Sequence, residues 1–376
     1  MSNPFKDIFS NFNIGGAGAS DTAVGIDIGS SAIKVVEIKK KGGKAMLETY
    51  GSISLGPYAE GGEAGRVTNL TRDKIIEALK EVLKQAGVSS TSSALAIPVQ
   101  SSLIFTIELP LQVKENEMTS VVSTEARKYI PVPITEVSLD YFVLPKKELS
   151  YEEANTPELS APSNDKMEVL VVAIQNDAIS NLRSVVSETH ITADFFEVEI
   201  FSSIRACFEH ELSLVLLIDF GASRTKISLV EFGMVKGFHT INRGGADISD
   251  SISKSFSIPF AKAEEMKKEF GLYGNPAEKE LADIIKTHVD YIFGETNNVL
   301  LGYEKKYNRA ISKVILTGGG CLLKGLTEVA TSNFRAEIEV GHPFAKVGAP
   351  AFLSKVLDTT GPEFAVAIGL ALRKLQ

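Results

Sequence analysis

One stretch of sequence occurs twice in this chain, and this repetition constrains the fold more than any other feature. The first copy runs from Gly25 to Ile38, and the second runs from Leu217 to Val230. An apolar run before each acid and alternating residues after each Gly predict a strand, a tight turn and a returning strand. We therefore expect two related lobes, each built around one hairpin. The residues shared at equal offsets are Asp27, Gly29, Ser31 and Lys34 in the first copy and Asp219, Gly221, Ser223 and Lys226 in the second.

Length and charge exclude several classes of protein. A chain of 376 residues is too long for one small core, so we expect at least two domains. The net charge of −8 argues against nucleic acid as a partner. No stretch approaches the roughly 18 apolar residues of a membrane span, and the first residues lack the pattern of a secretory signal. Two cysteines without CxxC spacing fit a reducing cytoplasm.

Residues 1–20 are predicted to be a tail and linker that precede the first lobe. Apolar residues at positions 5, 8, 9 and 12 share one helical face, and a Gly-rich linker follows them. We interpret this tail as a frayed terminus. The alternative is a small amphipathic helix that docks on a partner or on a membrane surface.

The remaining pattern of strands and helices predicts an α/β protein with an insert. Residues 21–111 are predicted to form the first lobe and residues 112–198 a small inserted αβ subdomain. Residues 199–376 are predicted to comprise a return helix of the first lobe, the second lobe and an apolar closing helix. Within the insert, the polar stretch from Lys146 to Lys166 predicts a mobile loop.

The turns of the two repeats carry the residue types that a polyphosphate and its magnesium ion require. Backbone N–H groups reach phosphate closely where a turn has small residues, and magnesium takes one or two carboxylates plus phosphate oxygens. Asp27 and Asp219 both stand where a strand meets its turn, and Lys34 is suited to balance phosphate charge. The predicted phosphate-binding turns contain Gly29, Ser30, Ser31, Gly221, Ala222 and Ser223.

Two further Gly-rich turns extend the predicted site. Gly244 and Gly245 open a helix whose N-terminus favours anions. The run Gly318-Gly319-Gly320 follows a strand, and its bare backbone would let a nucleoside pack flat. A lone Asp-x-Gly turn is usually only a hairpin, and a lone run of three Gly is usually only a loop. The order of all four elements, together with the duplication, is what indicates a nucleotide site.

This order of motifs resembles the actin-like ATPase superfamily and, within it, the PilM family of type IV pilus assembly. The specific pointers are the first repeat, the segment Glu125–Pro131 and the final run Ala365–Arg373. The resemblance implies an α/β, actin-like (ribonuclease H-like) fold of two lobes with a small αβ subdomain inserted in the first. The FtsA cell-division proteins are similar but carry a C-terminal amphipathic membrane tail. This sequence stops at Leu375-Gln376 without one, so we expect PilM rather than FtsA.

The resemblance also implies ATP and magnesium as ligands and a role for each site residue. Asp27 resembles the acid that holds magnesium through water, while Gly29, Ser30 and Lys34 resemble contacts to the β- and γ-phosphates. Asp219 and Gly221 resemble the second phosphate loop, with the same water-mediated metal role for Asp219. Glu264 and Lys267 are similar to the pair that touches ribose and base. Gly318, Gly319 and Gly320 resemble the adenosine motif. Glu199 resembles the residue that orients water. A solvated helix face is the alternative for Glu199, Glu264 and Lys267.

The PilM resemblance further implies a partner, the N-terminal cytoplasmic segment of the inner-membrane protein PilN. A cleft between the first lobe and its insert would receive this segment. The protein would then be cytoplasmic and peripheral to the inner membrane, where other pilus components are implied partners and self-association stays open. Candidate walls of the cleft, which serve equally well as core residues, are Val121, Val122, Tyr129, Ile130, Val132 and Ile134.

Three functions remain open from the sequence. The first is an ATP-binding scaffold of pilus biogenesis and twitching motility, with weak or absent ATPase activity, in which nucleotide state controls assembly. The second is an actin-fold kinase or phosphatase, which needs a positioned acid, and Glu199 is its one candidate. The third is an FtsA-like division filament. A Walker-type NTPase is excluded because the sequence contains no GxxxxGK[ST] motif.

Overall fold

The strands of both repeats form as the sequence predicts. The computed structural model describes residues 21–144, 166–209, 213–273 and 279–375. The tail predicted over residues 1–20 and residues 146–165 of the predicted loop lie outside this description. The described strands are β1 (Thr22–Ile28), β2 (Ala32–Lys41), β3 (Lys44–Ser54), β4 (Ser92–Ile97), β5 (Ser102–Pro110), β6 (Val137–Val143), β7 (Lys166–Gln175), β8 (Thr192–Val198), β9 (Val215–Phe220), β10 (Thr225–Glu231), β11 (Met234–Ile241), β12 (Lys313–Thr317) and β13 (Glu337–Val340).

The helices alternate with these strands, which confirms the predicted α/β class. The described α-helices are α1 (Arg72–Gln85), α2 (Glu115–Ala126), α3 (Asn176–Ser187), α4 (Glu199–Cys207), α5 (Gly245–Phe256), α6 (Phe260–Phe270), α7 (Lys279–Tyr307), α8 (Leu326–Asn333), α9 (Ser354–Thr360) and α10 (Ala365–Leu375). None of the helices in the described ranges has the length and apolar character needed to cross a bilayer.

Two five-stranded sheets have the same topology. The first has the order β3-β2-β1-β4-β8, and the second has the order β11-β10-β9-β12-β13. In each sheet three consecutive strands pair antiparallel, and two further strands then pair parallel. The central strands β1 and β9 are almost wholly buried, as expected for apolar strands covered on both faces. The repeat in the sequence is therefore a repeat of two lobes.

Two helices, α4 and α10, pack on the sheet of the first lobe and approach neighbouring backbone closely. The helix α10 packs on β1, where a Cβ at Gly25 would lie 1.8 Å from the Ala367 carbonyl oxygen. It also crosses α4, where a Cβ at Gly369 would lie 1.9 Å from the Ser202 carbonyl oxygen. Because no side chain fits at either point, Gly at positions 25 and 369 sets the distance between these elements. These contacts fix how α4 and α10 pack on the sheet of the first lobe.

A buried ion cluster ties the same two helices to the end of β8. The carboxylate of Glu197 is fully buried and accepts two hydrogen bonds of 2.7 Å from the Arg205 guanidinium. Arg373 of α10 lies 2.9 Å from the same carboxylate, and the Ser202 hydroxyl donates to it. Burial alone would raise the pKa of Glu197, but the two arginines hold it below its ordinary value. A buried charge satisfied this fully is expensive to disrupt, so the cluster favours one arrangement of α4 and α10.

The described residues separate into two compact units, and the smaller is the insert. Residues 99–179 form the insert, whereas 21–98 and 180–375 form the body with both lobes. The insert has a three-stranded sheet of order β5-β7-β6, and α2 contributes Met118, Val122 and Ala126 to its core. The sequence predicted bounds of 112–198 instead. The bounds differ because β5 pairs with β7 of the insert, while β8 pairs with β4 of the first lobe.

Candidate functional site

The acid and the lysine of each repeat are cross-strand neighbours. Asp27 of β1 is paired in register with Lys34 of β2, and Asp219 of β9 is paired with Lys226 of β10. Residues opposite each other in an antiparallel pair project to the same face of the sheet. Each hairpin therefore presents one carboxylate and one ammonium group side by side, next to its turn.

The two turns between these strands are also equivalent in their hydrogen bonds. The Gly29 N–H donates to the Ala32 carbonyl at 3.0 Å, and the Gly221 N–H donates to the Arg224 carbonyl at 3.0 Å. A Cβ at Gly221 would lie only 2.8 Å from that carbonyl oxygen, which explains why the turn requires glycine. The equal offsets in the sequence therefore correspond to equal backbone geometry.

Asp27 is the buried acid of the first repeat. Burial raises the pKa of Asp27 to about 6, while the positive charge of Lys34 opposes this change. The charges of Glu199, Lys226 and Asp219 also act on Asp27, so the acids of both repeats lie within electrostatic range of one another. Among the described residues, none donates a hydrogen bond to the Asp27 carboxylate. The site thus contains a buried carboxylate without a bonded counter-ion.

Asp219 of the second repeat differs from Asp27 because it forms an ion pair with Lys226. The Lys226 Nζ lies 3.0 Å from Asp219 Oδ2 and 2.6 Å from Glu199 Oε2. Burial lowers the pKa of Lys226, but the two carboxylates more than offset this effect and raise it above its ordinary value. Lys226 is a site residue beyond those predicted from the sequence, although its offset, equal to that of Lys34, is a usable signal. Glu199 is therefore ion-paired rather than part of a solvated face.

The turn at Gly244 and Gly245 braces the second repeat. The Gly245 N–H donates to the Gly221 carbonyl at 2.9 Å, and the Ala246 N–H donates to the Ala222 carbonyl at 2.9 Å. A Cβ at Gly244 would lie 2.4 Å from the Ala222 carbonyl oxygen. Two N–H groups of the first turn of α5 thus bind protein carbonyls. The sequence predicted this helix N-terminus as an anion site, and that role stays a prediction. The structure shows that these two N–H groups support the Gly221 turn.

Glu264 and Lys267 on α6 form an ion pair rather than a solvated surface. Their charged atoms lie 2.6 Å apart, and the Ser249 hydroxyl donates to Glu264 at 2.5 Å. Lys267 is buried and also donates to the Gly245 carbonyl at 2.8 Å. Burial alone would raise the pKa of Glu264, but the charge and hydrogen bond of Lys267 outweigh burial, so the pKa lies below its ordinary value. The pair joins α6 to the brace at Gly245.

The three glycines after β12 pack against the end of β9. A Cβ at Gly318 would lie 2.3 Å from Asp219 Oδ1, and one at Gly320 would lie 2.2 Å from the Phe220 ring. Gly318 also has a φ of +79°, which disfavours any side chain. At Gly319 the nearest atom to such a Cβ is 3.8 Å away. Glycine is therefore needed at positions 318 and 320 for the fit to Asp219 and Phe220, but not at position 319.

The candidate partner residues divide by burial within the insert. Val122 and Ile130 belong to its buried core, and Val121, Val132 and Ile134 are partly buried against that core. Tyr129 differs because 53% of it is exposed. Its ring stacks on Phe105 with the ring centroids 5.0 Å apart. Of the predicted wall residues, Tyr129 offers the largest contact surface.

Comparison with known proteins identifies the family. A family model described as type IV pilus assembly protein PilM matches residues 25–375. The chain belongs to the PilM family. A solved structure described as the PilM-PilN type IV pilus biogenesis complex is similar with a TM-score of 0.77 and 25% identity, covering 96% of this chain and all of that chain. This assignment confirms the family expected from the two repeats.

Other relatives of this PilM-family chain support the actin-like fold. The cell division protein FtsA of Staphylococcus epidermidis is 23% identical over 351 residues, covering 85% of this chain and 74% of that protein. The structure of MreB5 of Spiroplasma citri bound to ADP is similar in fold, with a TM-score of 0.50 and 12% identity, covering 94% of this chain and 95% of that chain. The predicted two-lobed actin-like architecture is thereby confirmed.

Proposed function

We propose that this PilM-family protein is an ATP-binding scaffold of type IV pilus assembly. ATP and magnesium bind between the turns of the two repeats, and the nucleotide state controls a surface for a partner. The observation that carries this proposal is the matched pair of hairpins, which brings Asp27, Lys34 and Asp219 into one electrostatic cluster. The ADP bound to MreB5, a protein of the same fold, is consistent with a nucleotide in this position.

The residues present fit a magnesium ion, and Asp27 is its best protein ligand. Its carboxylate is buried, its pKa is raised, and no described residue donates a hydrogen bond to it. A divalent cation would offset the cost of that buried charge. Asp219 already shares the Lys226 ammonium, so we assign it a contact through water. When bound, magnesium would neutralise phosphate charge, while Lys34 is free of ion pairs among the described residues and would contact phosphate directly.

The state of Glu199 supports weak or absent hydrolysis. A general base must lie within hydrogen-bond reach of the proton that it abstracts. Lys226 donates a hydrogen bond of 2.6 Å to Glu199 Oε2, so this carboxylate is already engaged in an ion pair. Glu199 is the one acid that the sequence assigned to water orientation. Its pairing with Lys226 favours a nucleotide-dependent scaffold over a kinase or phosphatase.

The partner that we propose is the N-terminal cytoplasmic segment of a PilN-like inner-membrane protein. A similar structure is described as a PilM-PilN complex. On this chain we assign the contact to the surface of the insert at Tyr129, whose exposed ring stacks on the partly buried Phe105. Exposed aromatic side chains are frequent anchors of such interfaces. The protein would then reside at the cytoplasmic face of the inner membrane through this partner.

The test measures coupling between nucleotide and partner. A fluorescent peptide with the sequence of the PilN-like N-terminal segment from the same genome is titrated with the protein alone, with Mg·ADP and with a nonhydrolysable Mg·ATP analogue. A nucleotide controls the partner surface only if its affinity differs between the two states, so we expect peptide affinity to change by about fivefold or more. Equal affinity in all three conditions contradicts the proposal.

Two further readouts separate the alternatives. Phosphate release should be far slower than the roughly 10 turnovers per second typical of metabolic enzymes. Brisk transfer of phosphate to a small metabolite would support the kinase instead. ATP-dependent polymers, seen as an increase in light scattering, would support the filament.

A further inference from the structure

The segment between β3 and α1, residues 55–69, belongs to the first lobe and contacts the second lobe. We call it the strap. Both of its ends bind the phosphate turn of the first repeat. The Leu55 N–H donates to the Ser31 carbonyl at 2.8 Å, and the Thr68 N–H donates to the Ser30 carbonyl at 3.1 Å. The strap is therefore anchored on the turn that is proposed to bind phosphate.

The strap is folded on itself and is not a slack loop. A Cβ at Gly56 would lie 1.8 Å from the Glu63 carbonyl oxygen, and one at Gly62 would lie 2.1 Å from the Gly56 carbonyl oxygen. Backbone hydrogen bonds link Ala59 to Gly56 and Arg66 to Glu63. These close contacts hold the Glu63 and Arg66 side chains at one defined place.

The middle of the strap docks on α6 of the second lobe. Glu63 Oε2 accepts a hydrogen bond of 2.8 Å from the Ala261 N–H in the first turn of this helix. The residue before the helix is Pro259, whose side chain cannot cap it. Glu63 thus provides the cap from the other lobe, and its negative charge suits the helix N-terminus. The Arg66 guanidinium lies over the Phe260 ring, 4.9 Å from its centroid.

The strap also lies against the ion pair of α6. A Cβ at Gly65 would be 3.3 Å from the Glu264 side chain, so glycine allows this close approach. Glu264 is bonded to Lys267, which is bonded to the Gly245 carbonyl next to the second phosphate turn. A continuous path of contacts therefore runs from Ser30 and Ser31, through the strap and α6, to Gly245.

We infer that Glu63 and Arg66 are positioning residues that hold the two lobes together over the bound nucleotide. This inference rests on the proposed function, in which the nucleotide lies between the two turns. If the lobes move apart to release the nucleotide, the contacts of Glu63 with Ala261 and of Arg66 with Phe260 must break first. The strap thus sets how long a nucleotide stays bound, without touching it.

The test compares release of a fluorescent ADP analogue, bound with magnesium and chased with excess ATP, in four variants. Glu63→Ala removes both the acceptor and the charge, and loss of a helix cap corresponds to about tenfold faster release. Glu63→Gln keeps an acceptor oxygen without the charge, so its rate should lie between wild type and Glu63→Ala. Arg66→Ala should also release faster. The matched control, Glu60→Ala, changes an exposed acid of the same strap and should match wild type.

Each outcome decides the inference. The inference is supported if release is fastest in Glu63→Ala, slower in Glu63→Gln, and slowest in wild type and Glu60→Ala. Equal release rates in wild type, Glu63→Ala and Arg66→Ala overturn it, even if the variants unfold at a lower temperature without nucleotide. If Glu63→Ala does not fold, the rates of Glu63→Gln and Arg66→Ala decide in the same way. A wild-type chain that gives no nucleotide signal overturns the proposed function, and the strap with it.

Discussion

The ammonium group of Lys226 donates a hydrogen bond of 2.6 Å to the carboxylate of Glu199. The same group lies 3.0 Å from Asp219, its cross-strand partner. Lys34 stands at the equal position of the first repeat, yet it forms no ion pair among the described residues. The two hairpins therefore share one backbone plan but differ in ion pairing. In the second hairpin the acid and the lysine are bonded to each other, whereas the first leaves Asp27 and Lys34 available to a ligand.

Replacing Lys226 by Met tests this difference. The change leaves the buried Glu199 and the partly buried Asp219 without their cation, so the free energy of unfolding should fall by about 3 kcal/mol. Millimolar magnesium should restore part of this loss, because a divalent cation takes the place of the ammonium group. Urea unfolding with and without magnesium measures both effects. The control is Lys254→Met, which breaks the exposed pair with Asp250 and should stay close to wild type. A Lys226→Met protein as stable as wild type contradicts the account.

The raised pKa of Asp27 predicts that stability and its increase by Mg·ATP depend on pH. Its pKa is raised from 3.8 to about 6, so the folded chain binds more protons than the unfolded chain between these values. Without ligand, its contribution to stability therefore falls as pH rises from about 4 to about 6. In the proposed site, magnesium binds the ionised form of Asp27. The rise in melting temperature caused by Mg·ATP should thus be larger at about pH 7.5 than at about pH 5.5.

The variant Asp27→Asn separates the two effects of this acid. Without ligand near neutral pH it should be more stable than wild type by roughly 3 kcal/mol, because no charge is buried. It should also lose the Mg·ATP shift in melting temperature at both pH values. Asp21→Asn, an exposed change just before the same strand, is the control and should keep the shift. A full Mg·ATP shift in Asp27→Asn would remove Asp27 from the site.

The close crossing of α4 and α10 at Gly369 predicts a steric effect of substitution. Gly369→Ala places a Cβ 1.9 Å from the Ser202 carbonyl oxygen, so α4 and α10 must move apart. We expect a loss of about 3 kcal/mol or more in the free energy of unfolding, measured with urea. The matched control is Gly294→Ala in α7, where nothing lies within 4 Å of the new Cβ. That variant should be equal to wild type or more stable by up to about 1 kcal/mol. Similar midpoints for the two variants would contradict the close crossing.

Truncation of Tyr129 should weaken partner binding without affecting stability. Tyr129→Ala removes the exposed ring that stacks on Phe105, so affinity for the PilN-like peptide should fall by about tenfold or more. The melting temperature should change little because Tyr129 is exposed and lies outside the buried core of the insert. Tyr273→Ala, which truncates another exposed tyrosine in the second lobe, is the control and should bind as wild type. Unchanged peptide affinity in Tyr129→Ala would remove this surface from the interface.

The local parts of the site were predictable from the sequence. Each hairpin is encoded by neighbouring residues, since apolar runs predict the strands and Gly29 and Gly221 predict the turns. The register follows from the turn, so the pairing of Asp27 with Lys34 needs no distant information. The same reasoning could have included Lys226 as the partner of Asp219, because it occupies the equal offset.

The contacts that join distant segments were not predictable in this way. Lys226 and Glu199 are 27 residues apart, and Glu63 and Ala261 are 198 residues apart, so tertiary packing decides both contacts. The bounds of the insert differ from the predicted ones for a related reason. The pattern of β5 predicts a strand but does not specify its sheet, and the structure pairs it with β7.

A crystal structure with magnesium and a nonhydrolysable ATP analogue tests the central claim most directly. The account predicts density for the triphosphate between the turn at Gly29 and the turn at Gly221, with magnesium on the side of Asp27. It also predicts the adenosine beside Gly318 and the ion pair of Glu264 with Lys267. A triphosphate bound elsewhere on the protein, or an empty site at saturating analogue, would contradict it.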